Sequence, residues 1–348
     1  MLYFVFTTGQ CNLKCRYCGG SFSRNLVPWK VLYDIKELTN FIEEDPNATI
    51  IFYGGEPLLN IQFIKDVIER VPAKRFGIQT NGLLVEKLKP EYWKEMEVVL
   101  LSIDGVEKVT DYYRGRGVYR RVLKAAHYLR KIGFEGDLIA RMTVSEKSDI
   151  YRDVTHLLSL GIFNHVHWQL DVIWSPPWDN FTMWVKYSYL PGILRLTKLW
   201  KMSFNEETPL GIAPFLGIAK RARYGGPTPP CGAGQDAFSI LTNGRILACP
   251  IAVDVSWAYL GHIKTNSPQD LVGKISIGEP CTSCKYFRYC GGRCLYAYKE
   301  RYWGESGFKS ICNITKRTID MVLNCLDKDT PNNAFTYPPF NNSIEIIP

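Results

Sequence analysis

The stretch Cys11-Asn12-Leu13-Lys14-Cys15-Arg16-Tyr17-Cys18 places three cysteines in a short loop directly after the apolar segment of residues 2–6. Three thiolates can hold three irons of a cubane [4Fe–4S] cluster, and the fourth iron is then left without a protein ligand. An open iron can bind a small molecule and pass an electron to it. The same cysteines would also suit zinc with a distant fourth ligand, or a disulfide with one spare thiol.

The CxxxCxxC spacing of this loop, with an aromatic residue before its last cysteine, resembles the signature of the radical SAM (S-adenosylmethionine) enzymes. The resemblance implies that Cys11, Cys15 and Cys18 bind the cluster, that Tyr17 belongs to the cofactor site, and that SAM binds the open iron. An electron from the cluster would cleave SAM to a 5′-deoxyadenosyl radical, which abstracts a hydrogen atom from the substrate. The electron would come from a donor such as ferredoxin or flavodoxin.

The N-terminus has no charged segment of the kind that opens a signal peptide, and no apolar run approaches the ~18 residues of a membrane span. We therefore expect a cytoplasmic protein without a membrane partner. Thiols stay reduced in the cytoplasm, so clustered cysteines there indicate a metal site and disulfides are disfavoured.

The formal net charge of +8 would suit a protein that binds nucleic acid. Cluster-bound thiolates, however, would cancel about half of this excess. The short basic group Lys220, Arg221 and Arg223 is predicted to be a solvated face. Because no nucleic-acid-binding module is recognisable, we expect no nucleic-acid partner.

Apolar runs and helical periodicity alternate through the first half of the chain. This alternation predicts parallel strands joined by right-handed crossovers. Too few units are present for a closed eight-stranded barrel, so we expect an α/β fold with an open, partial (β/α)6 TIM-like barrel. The predicted strands are residues 2–6, 48–53, 75–79, 98–102, 137–144 and 165–170, and the predicted helices are 31–42, 61–71, 119–132 and 150–160.

Unusual short motifs fall at the ends of the predicted strands, where sites in such folds gather. As a set, they resemble the GGEP motif of radical SAM enzymes and the TNG, SIDG and RMTV segments of the peptide-modifying branch. The resemblance implies that the GGEP backbone binds the SAM amino group and that Arg141 binds the carboxylate as a guanidinium fork. A surface salt bridge is the alternative role for Arg141. The cofactor-binding residues predicted from these motifs are Gly54, Gly55, Glu56, Pro57, Asn81, Ser102 and Arg141.

The other eight cysteines all follow residue 230. Their order is C-x12-GxxxxC, then Cx2Cx5Cx3C, then single cysteines, and two CxxC-like steps could form a zinc ribbon. The full order resembles the SPASM domain, which carries two auxiliary [4Fe–4S] clusters in many radical SAM peptide modifiers. The resemblance implies one cluster on Cys281, Cys284, Cys290 and Cys312, and another on Cys231, Cys249 and Cys294.

The last cysteine, Cys325, has two possible roles. Some family members supply a further cysteine shortly before the position of Cys231, and this chain has none. The second auxiliary cluster then has either an open iron or a fourth ligand from Cys325. The alternative is that Cys325 is a small buried apolar side chain.

We predict four segments: a radical SAM partial barrel (residues 1–190), a bridging helix or linker (191–228), a SPASM domain (229–328) and an extended C-terminal tail (329–348). Because the sequence starts at its first strand, no leader-peptide recognition domain is expected before the barrel. The region of residues 165–224 is rich in aromatic residues, which would either form a peptide-binding surface or pack a helix against the barrel.

Auxiliary clusters suit an oxidation, because a substrate radical must lose an electron to become a closed-shell product. We therefore expect a peptide or protein substrate whose side chain is crosslinked, epimerised or otherwise oxidised. Sulfatase maturases of this family oxidise Cys or Ser to formylglycine and carry an Asp base after the cysteine aligned with Cys249. Here Pro250 takes that position, so the general base is unidentified and Asp254 is only a weak candidate. A non-catalytic iron–sulfur carrier or a zinc protein is the alternative of another class.

Overall fold

The computed structural model describes residues 1–205, 209–301, 303–328 and 330–335. Its strands are β1 (Leu2–Thr8), β2 (Thr49–Gly54), β3 (Arg75–Thr80), β4 (Met96–Ser102), β5 (Asp137–Val144), β6 (His165–Leu170), β7 (Ala237–Ile240), β8 (Arg245–Leu247) and β9 (Tyr259–His262). They form one sheet in the order β6-β5-β4-β3-β2-β1-β7-β8-β9. The first six strands follow one another in sequence order, which confirms the predicted open, partial (β/α)6 barrel.

The helices of the described ranges alternate with the strands through the first half of the chain and follow them in the second. They are α1 (Ile35–Glu43), α2 (Ile61–Arg70), α3 (Pro90–Lys94), α4 (Glu107–Arg114), α5 (Val118–Lys131), α6 (Ile150–Ser159), α7 (Phe181–Trp184), α8 (Leu190–Met202), α9 (Ala213–Tyr224), α10 (Phe287–Cys290), α11 (Leu295–Glu300) and α12 (Gly304–Leu323). None of them is long and apolar enough to cross a membrane.

The chain divides into two compact units. The first unit contains residues 1–103, 110–139 and 232–276, and the second contains residues 104–109, 140–231 and 277–348 as far as they are described. In the first unit, β1 pairs in parallel with β2, β2 with β3, and β3 with β4. The run Val98–Leu101 is buried at every residue, as expected for a parallel strand that is covered on both faces.

One part of this sheet was not predicted from the sequence. Strand β7 pairs in parallel with β1, from Leu2 opposite Ala237 to Val5 opposite Ile240. Strands β8 and β9 then add antiparallel pairs. With three or four residues each, these strands are too short to show a periodic pattern. A segment assigned to the C-terminal cysteine-rich region thus extends the sheet of the barrel.

The predicted start of the first helix was wrong. Val31 and Leu32 fit the helical period, but α1 begins at Ile35 because the Asp34 side chain accepts a hydrogen bond from the Lys36 N–H and caps the helix. Leu32 is 64% exposed. The short helices α3 and α4 were not predicted. Proline at the first position of α3 fits its start, since that position needs no donated hydrogen bond.

The second unit contains helices α6 to α12. The predicted bridging segment, residues 191–228, contains two helices, α8 and α9. Several aromatic residues of the region 165–224 are core residues, since Trp168, Tyr189 and Trp200 have no exposed surface. Trp174 and Tyr187 are exposed by 45% and 63%. The predicted C-terminal tail lies largely outside the described residues, apart from a short turn at Asn332–Phe335.

Candidate active site

The three-cysteine loop follows the carboxyl end of β1 and is folded tightly on itself. The N–H groups of Cys18 and Gly19 both donate to the Cys15 carbonyl, at 3.2 and 3.0 Å. Cys15 is buried, Cys11 is half-buried and Cys18 is exposed. The Leu13 N–H donates to the Cys11 sulfur at 3.4 Å, as a backbone donor does to a sulfur that carries negative charge.

Residues at the end of α4 hold this loop in place. Arg16 donates from its backbone N–H to the Tyr113 carbonyl at 2.9 Å and from Nε to the Tyr112 carbonyl at 2.7 Å. The Tyr17 and Tyr113 rings lie 5.8 Å apart, and the Arg114 guanidinium lies over the Tyr17 ring at 5.4 Å. These residues were not predicted from the sequence, because no motif links them to the cysteine loop.

The cysteines of the loop differ in how readily they ionise. A hydrogen bond from the Cys15 thiol, reinforced by the charge of Arg114, lowers the pKa of Cys18 to about 6. Burial raises the pKa of Cys11, while hydrogen bonds from backbone N–H groups counteract this. An iron ligand must be a thiolate, so the loop favours the binding form most strongly at Cys18.

The Gly-Gly turn at the end of β2 packs directly against the segment that leads into the cysteine loop. A Cβ atom on Gly55 would lie 2.2 Å from the Gln10 carbonyl oxygen, and one on Gly54 would lie 2.2 Å from the Thr8 carbonyl oxygen. The Gly55 N–H donates to the Thr8 carbonyl at 3.0 Å, and the Glu56 N–H donates to the Gln10 carbonyl at 2.8 Å. Only glycine allows this close approach, which fixes the turn beside the loop.

Glu56 connects the ends of two strands. Its buried carboxylate accepts hydrogen bonds from the Leu58 N–H at 3.1 Å, from Thr80 Oγ1 at 2.6 Å and from the Asn81 N–H at 2.8 Å. Burial raises the pKa of Glu56 to about 7, although these hydrogen bonds lower it. Within the protein, Glu56 therefore positions Asn81. Pro57 accepts a hydrogen bond from Thr7 Oγ1 at 3.0 Å and starts a short turn.

Asn81 links this network to the cysteine loop. Its Nδ2 donates to Oδ1 of Asn12 at 2.7 Å, so the asparagine inside the loop is a site residue that the sequence did not single out. Thr80 pairs with Leu101 across β3 and β4, so Asn81 and Ser102 follow at neighbouring strand ends. Arg141 belongs to the second unit and donates from Nη1 to the Met142 carbonyl at 2.8 Å. Its contact with a SAM carboxylate stays a prediction.

Four of the later cysteines come together in the second unit. Burial and the charges of Cys312 and Cys284 raise the pKa of Cys281. Burial and the charges of Cys312 and Cys281 raise the pKa of Cys290 to about 12. The four thiols thus lie close enough for their charges to act on one another. They are the set predicted for one auxiliary cluster.

The chemistry of these four thiols fits an iron–sulfur cluster, which takes one thiolate on each iron. Nowhere in the described ranges do three His, Cys, Asp or Glu side chains converge on one point where a metal ion would bind. In a cubane each cysteine binds a different iron, so its ligands surround a larger group and need not converge.

The other predicted cluster ligands are distributed over both units. Cys249 is buried in the first unit, whereas Cys231 and Cys294 belong to the second. The Cys294 sulfur accepts a hydrogen bond from the Ala297 N–H at 3.5 Å, where α11 begins. That these three cysteines share a cluster stays a prediction. Asp254, the weak base candidate, is exposed in the turn that follows Cys249.

Cys325 is buried, and its thiol contacts backbone carbonyls. Its thiol donates to the Met321 carbonyl at 3.3 Å and lies 3.6 Å from the Thr197 carbonyl. The charged side chains that shift the pKa of this thiol are Lys201, which lowers it, and Asp327, which raises it. Among the described residues no other cysteine acts on it, which supports the interpretation of Cys325 as a small core residue.

Both the sequence and the fold are similar to those of known proteins. Residues 5–151 match the model of the Radical SAM superfamily. A cysteine-type anaerobic sulfatase-maturating enzyme from Clostridium perfringens (strain 13 / Type A) is 24% identical over 327 residues, which cover 82% of this chain and 85% of that protein. Mycofactocin maturase MftC from Mycolicibacterium smegmatis is 22% identical over 310 residues, which cover 83% and 76%.

A solved structure shares the fold. The structure of native anSMEcpe with bound AdoMet superposes with a TM-score of 0.73 at 18% identity, covering 93% of this chain and 97% of that one. The matched family implies SAM and a [4Fe–4S] cluster as cofactors. The chain therefore contains a radical SAM domain, which spans residues 5–151.

Proposed function

We propose that this enzyme oxidatively modifies a side chain of a peptide or protein and that auxiliary [4Fe–4S] clusters in a SPASM domain accept the electron. The observation that carries the proposal is the grouping of Cys281, Cys284, Cys290 and Cys312 in the second unit, apart from the cysteine loop in the first. A radical SAM enzyme that only cleaves SAM needs no second set of ligands. The similarity to a sulfatase-maturating enzyme and a mycofactocin maturase supports a peptide or protein substrate.

The bound cofactors supply a 5′-deoxyadenosyl radical for hydrogen abstraction and an acceptor for the electron that the substrate then loses. The protein holds and orients them. The N–H groups of Gly55 and Glu56 are engaged within the protein, so this turn would meet the SAM ammonium through carbonyl oxygens. Asn81, Ser102 and Arg141 would then hold the ribose and methionine parts, with the Arg141 fork on the carboxylate.

The reaction balances as a two-electron oxidation. The substrate loses one hydrogen atom from a C–H bond, then one electron to an auxiliary cluster and one proton to a base. Pro250 has no group that takes a proton, and the exposed Asp254 is the nearest carboxylate after Cys249. We expect a ferredoxin or flavodoxin as the donor of the electron that cleaves SAM, and a cytoplasmic location where such donors act.

A second candidate is the conversion of Cys or Ser to formylglycine, which the similarity to the Clostridium perfringens enzyme favours. The proline at position 250 disfavours it. A peptide that carries a sulfatase-type cysteine or serine separates the two functions. An aldehyde product that a hydrazine reagent traps would establish formylglycine formation, and its absence would leave another oxidation.

The proposal is tested by anaerobic reconstitution of the protein, followed by iron analysis and by an assay for 5′-deoxyadenosine with dithionite and SAM. Three cubanes predict about twelve irons per chain together with nucleoside formation. Cys312→Ala should lose about four irons, whereas Cys325→Ala, altered just beyond the same helix, should keep all of them. About four irons in the wild type would refute the auxiliary clusters. No iron and no SAM cleavage would refute the whole assignment.

A further inference from the structure

Arg221 lies on α9 and is only 3% exposed. The prediction of a solvated basic face was therefore wrong for this residue, although it holds for the exposed Arg223 two residues later. A guanidinium stays charged at every pH that a protein tolerates. A buried charge of this kind destabilises the fold unless hydrogen bonds and opposite charge compensate it.

The hydrogen bonds of Arg221 all go to backbone carbonyls. Its Nε donates to Tyr289 at 2.7 Å, Nη1 to Pro227 at 2.7 Å and Nη2 to Arg288 at 3.3 Å. No carboxylate in the described part of the chain forms a salt bridge with it. The three acceptors thus lie in two chain segments, residues 226–231 and 288–291.

Both segments are shaped around the guanidinium. A Cβ atom on Gly226 would lie 2.9 Å from Nη1, and one on Gly291 would lie 2.8 Å from Nη2. The same added Cβ on Gly291 would lie 3.1 Å from Cδ of Pro230. Cys231 follows Pro230 and Cys290 precedes Gly291, so Arg221 joins the two segments that carry these cysteines.

The compensating charge would come from the cysteines as the thiolate ligands of the proposed clusters. Burial lowers the pKa of Arg221, while the charges of Cys290 and Cys231 raise it. Arg293 is a second cation that acts on Cys290. A [4Fe–4S]²⁺ core with four thiolates carries a net charge of about −2, which becomes about −3 on reduction by one electron. A fixed positive charge nearby stabilises the more negative state.

We propose that Arg221 positions the segments of Cys231 and Cys290 and, through its charge, raises the reduction potential of the auxiliary cluster on Cys281, Cys284, Cys290 and Cys312. This inference rests on the proposed auxiliary clusters. It gives the second unit a specific device that makes the cluster a better electron acceptor. Neither the cysteine spacing nor the strand-end motifs indicate such a residue.

The test uses the reconstituted full chain and measures iron content and the midpoint potential of each cluster by EPR-monitored redox titration. Arg221→Gln removes the charge. We expect the ratio of reduced to oxidised auxiliary cluster at a fixed potential to fall about tenfold, which for one electron is about 59 mV. Arg221→Lys keeps the charge and should stay near the wild-type potential. Arg223→Gln, on the same helix but exposed, should change nothing.

Each outcome decides the proposal. About twelve irons with unchanged potentials in Arg221→Gln would overturn it and leave the proposed function intact. A wild type with about four irons would refute the proposed function itself. If Arg221→Gln loses the cluster while Arg221→Lys retains it at the wild-type potential, the requirement for charge is supported. Loss of the cluster in both variants would show a purely structural residue and overturn the charge role.

Discussion

Glu56 shows that a motif residue predicted for the ligand site also has a role within the protein. The GGEP resemblance predicted a residue of the SAM site, and its carboxylate is engaged by Leu58, Thr80 and Asn81. Because these contacts join the ends of β2 and β3, Glu56 sets the position of Asn81 relative to the Gly-Gly turn. A motif in the sequence marks a place in the site, but only the structure shows which neighbour each side chain binds.

The protonation of Glu56 predicts a pH dependence of stability. Burial raises its pKa from 4.5 to about 7 in the folded protein. Between these values the folded state holds a proton that the unfolded state has released, so the free energy of unfolding falls as the pH rises through this window, by roughly 3 kcal/mol. This contribution of Glu56 to the free energy of unfolding is complete below pH 4.5 and is lost above about pH 7.

Glu56→Gln removes this titration. In denaturant unfolding of the cluster-free protein, we expect the wild type to lose more stability than the variant between pH 5 and pH 8. The free energy of unfolding of the wild type, relative to that of the variant, should therefore fall as the pH rises. A difference that stays constant over this range would show that Glu56 does not titrate there.

Asn12 and Arg114 show what residue-level prediction from sequence misses. Tyr17 was predicted from its place before Cys18, and Asn81 from its strand-end motif. Asn12 binds Asn81 across 69 positions of the chain, and Arg114 lies over the Tyr17 ring. These contacts depend on how loops fold in space, and nothing in the local spacing of residues encodes them.

At the scale of elements, the six barrel strands were predicted to within two residues at either end, because parallel strands covered on both faces appear as continuous apolar runs. The start of α1 was placed too early, since the periodic residues Val31 and Leu32 precede the Asp34 cap. The β7–β9 segment was missed because short strands carry little pattern. Long elements with regular burial are therefore predictable, whereas short elements depend on their tertiary partners.

The close packing of the Gly-Gly turn predicts the effect of a substitution at Gly55. Gly55→Ala would put a Cβ atom 2.2 Å from a backbone carbonyl, and backbone at this point cannot move without displacing the cysteine loop. We expect the reconstituted variant to lose most of its SAM cleavage and part of its iron, measured as 5′-deoxyadenosine and as iron per chain.

The matched control is Gly161→Ala. Gly161 has open space where a Cβ would lie but a φ of +63°, so alanine there should cost only about 1–2 kcal/mol of stability and leave iron content unchanged. Equal loss of iron in both variants would mean that the effect of Gly55→Ala arises from general destabilisation and not from the loop.

At the scale of the whole molecule, the cysteines divide between the two compact units. Cys11, Cys15 and Cys18 lie in the first unit with the GGEP turn, and the set of Cys281, Cys284, Cys290 and Cys312 lies in the second. The resemblance of the cysteine order to the SPASM pattern predicted this second set, since the spacing alone also allowed a zinc ribbon. The compact units, however, are not consecutive in sequence, since β7 returns to β1. Segments that are consecutive in the sequence cannot describe a unit that the chain leaves and later re-enters. The four predicted segments stay a prediction.

This division predicts that SAM cleavage and auxiliary-cluster binding can be lost separately. Cys15→Ala removes a buried ligand of the loop and should abolish 5′-deoxyadenosine formation with about four irons lost, while far-UV circular dichroism stays that of the wild type. Cys290→Ala should lose about four irons as well, yet retain nucleoside formation with dithionite and SAM, because the loop and the GGEP turn are built within the first unit. Persistent nucleoside formation in Cys15→Ala would place the reducing cluster elsewhere. Its loss in Cys290→Ala would mean that the two sets of cysteines function only together, since the electron acceptor would then be required even for the cleavage step.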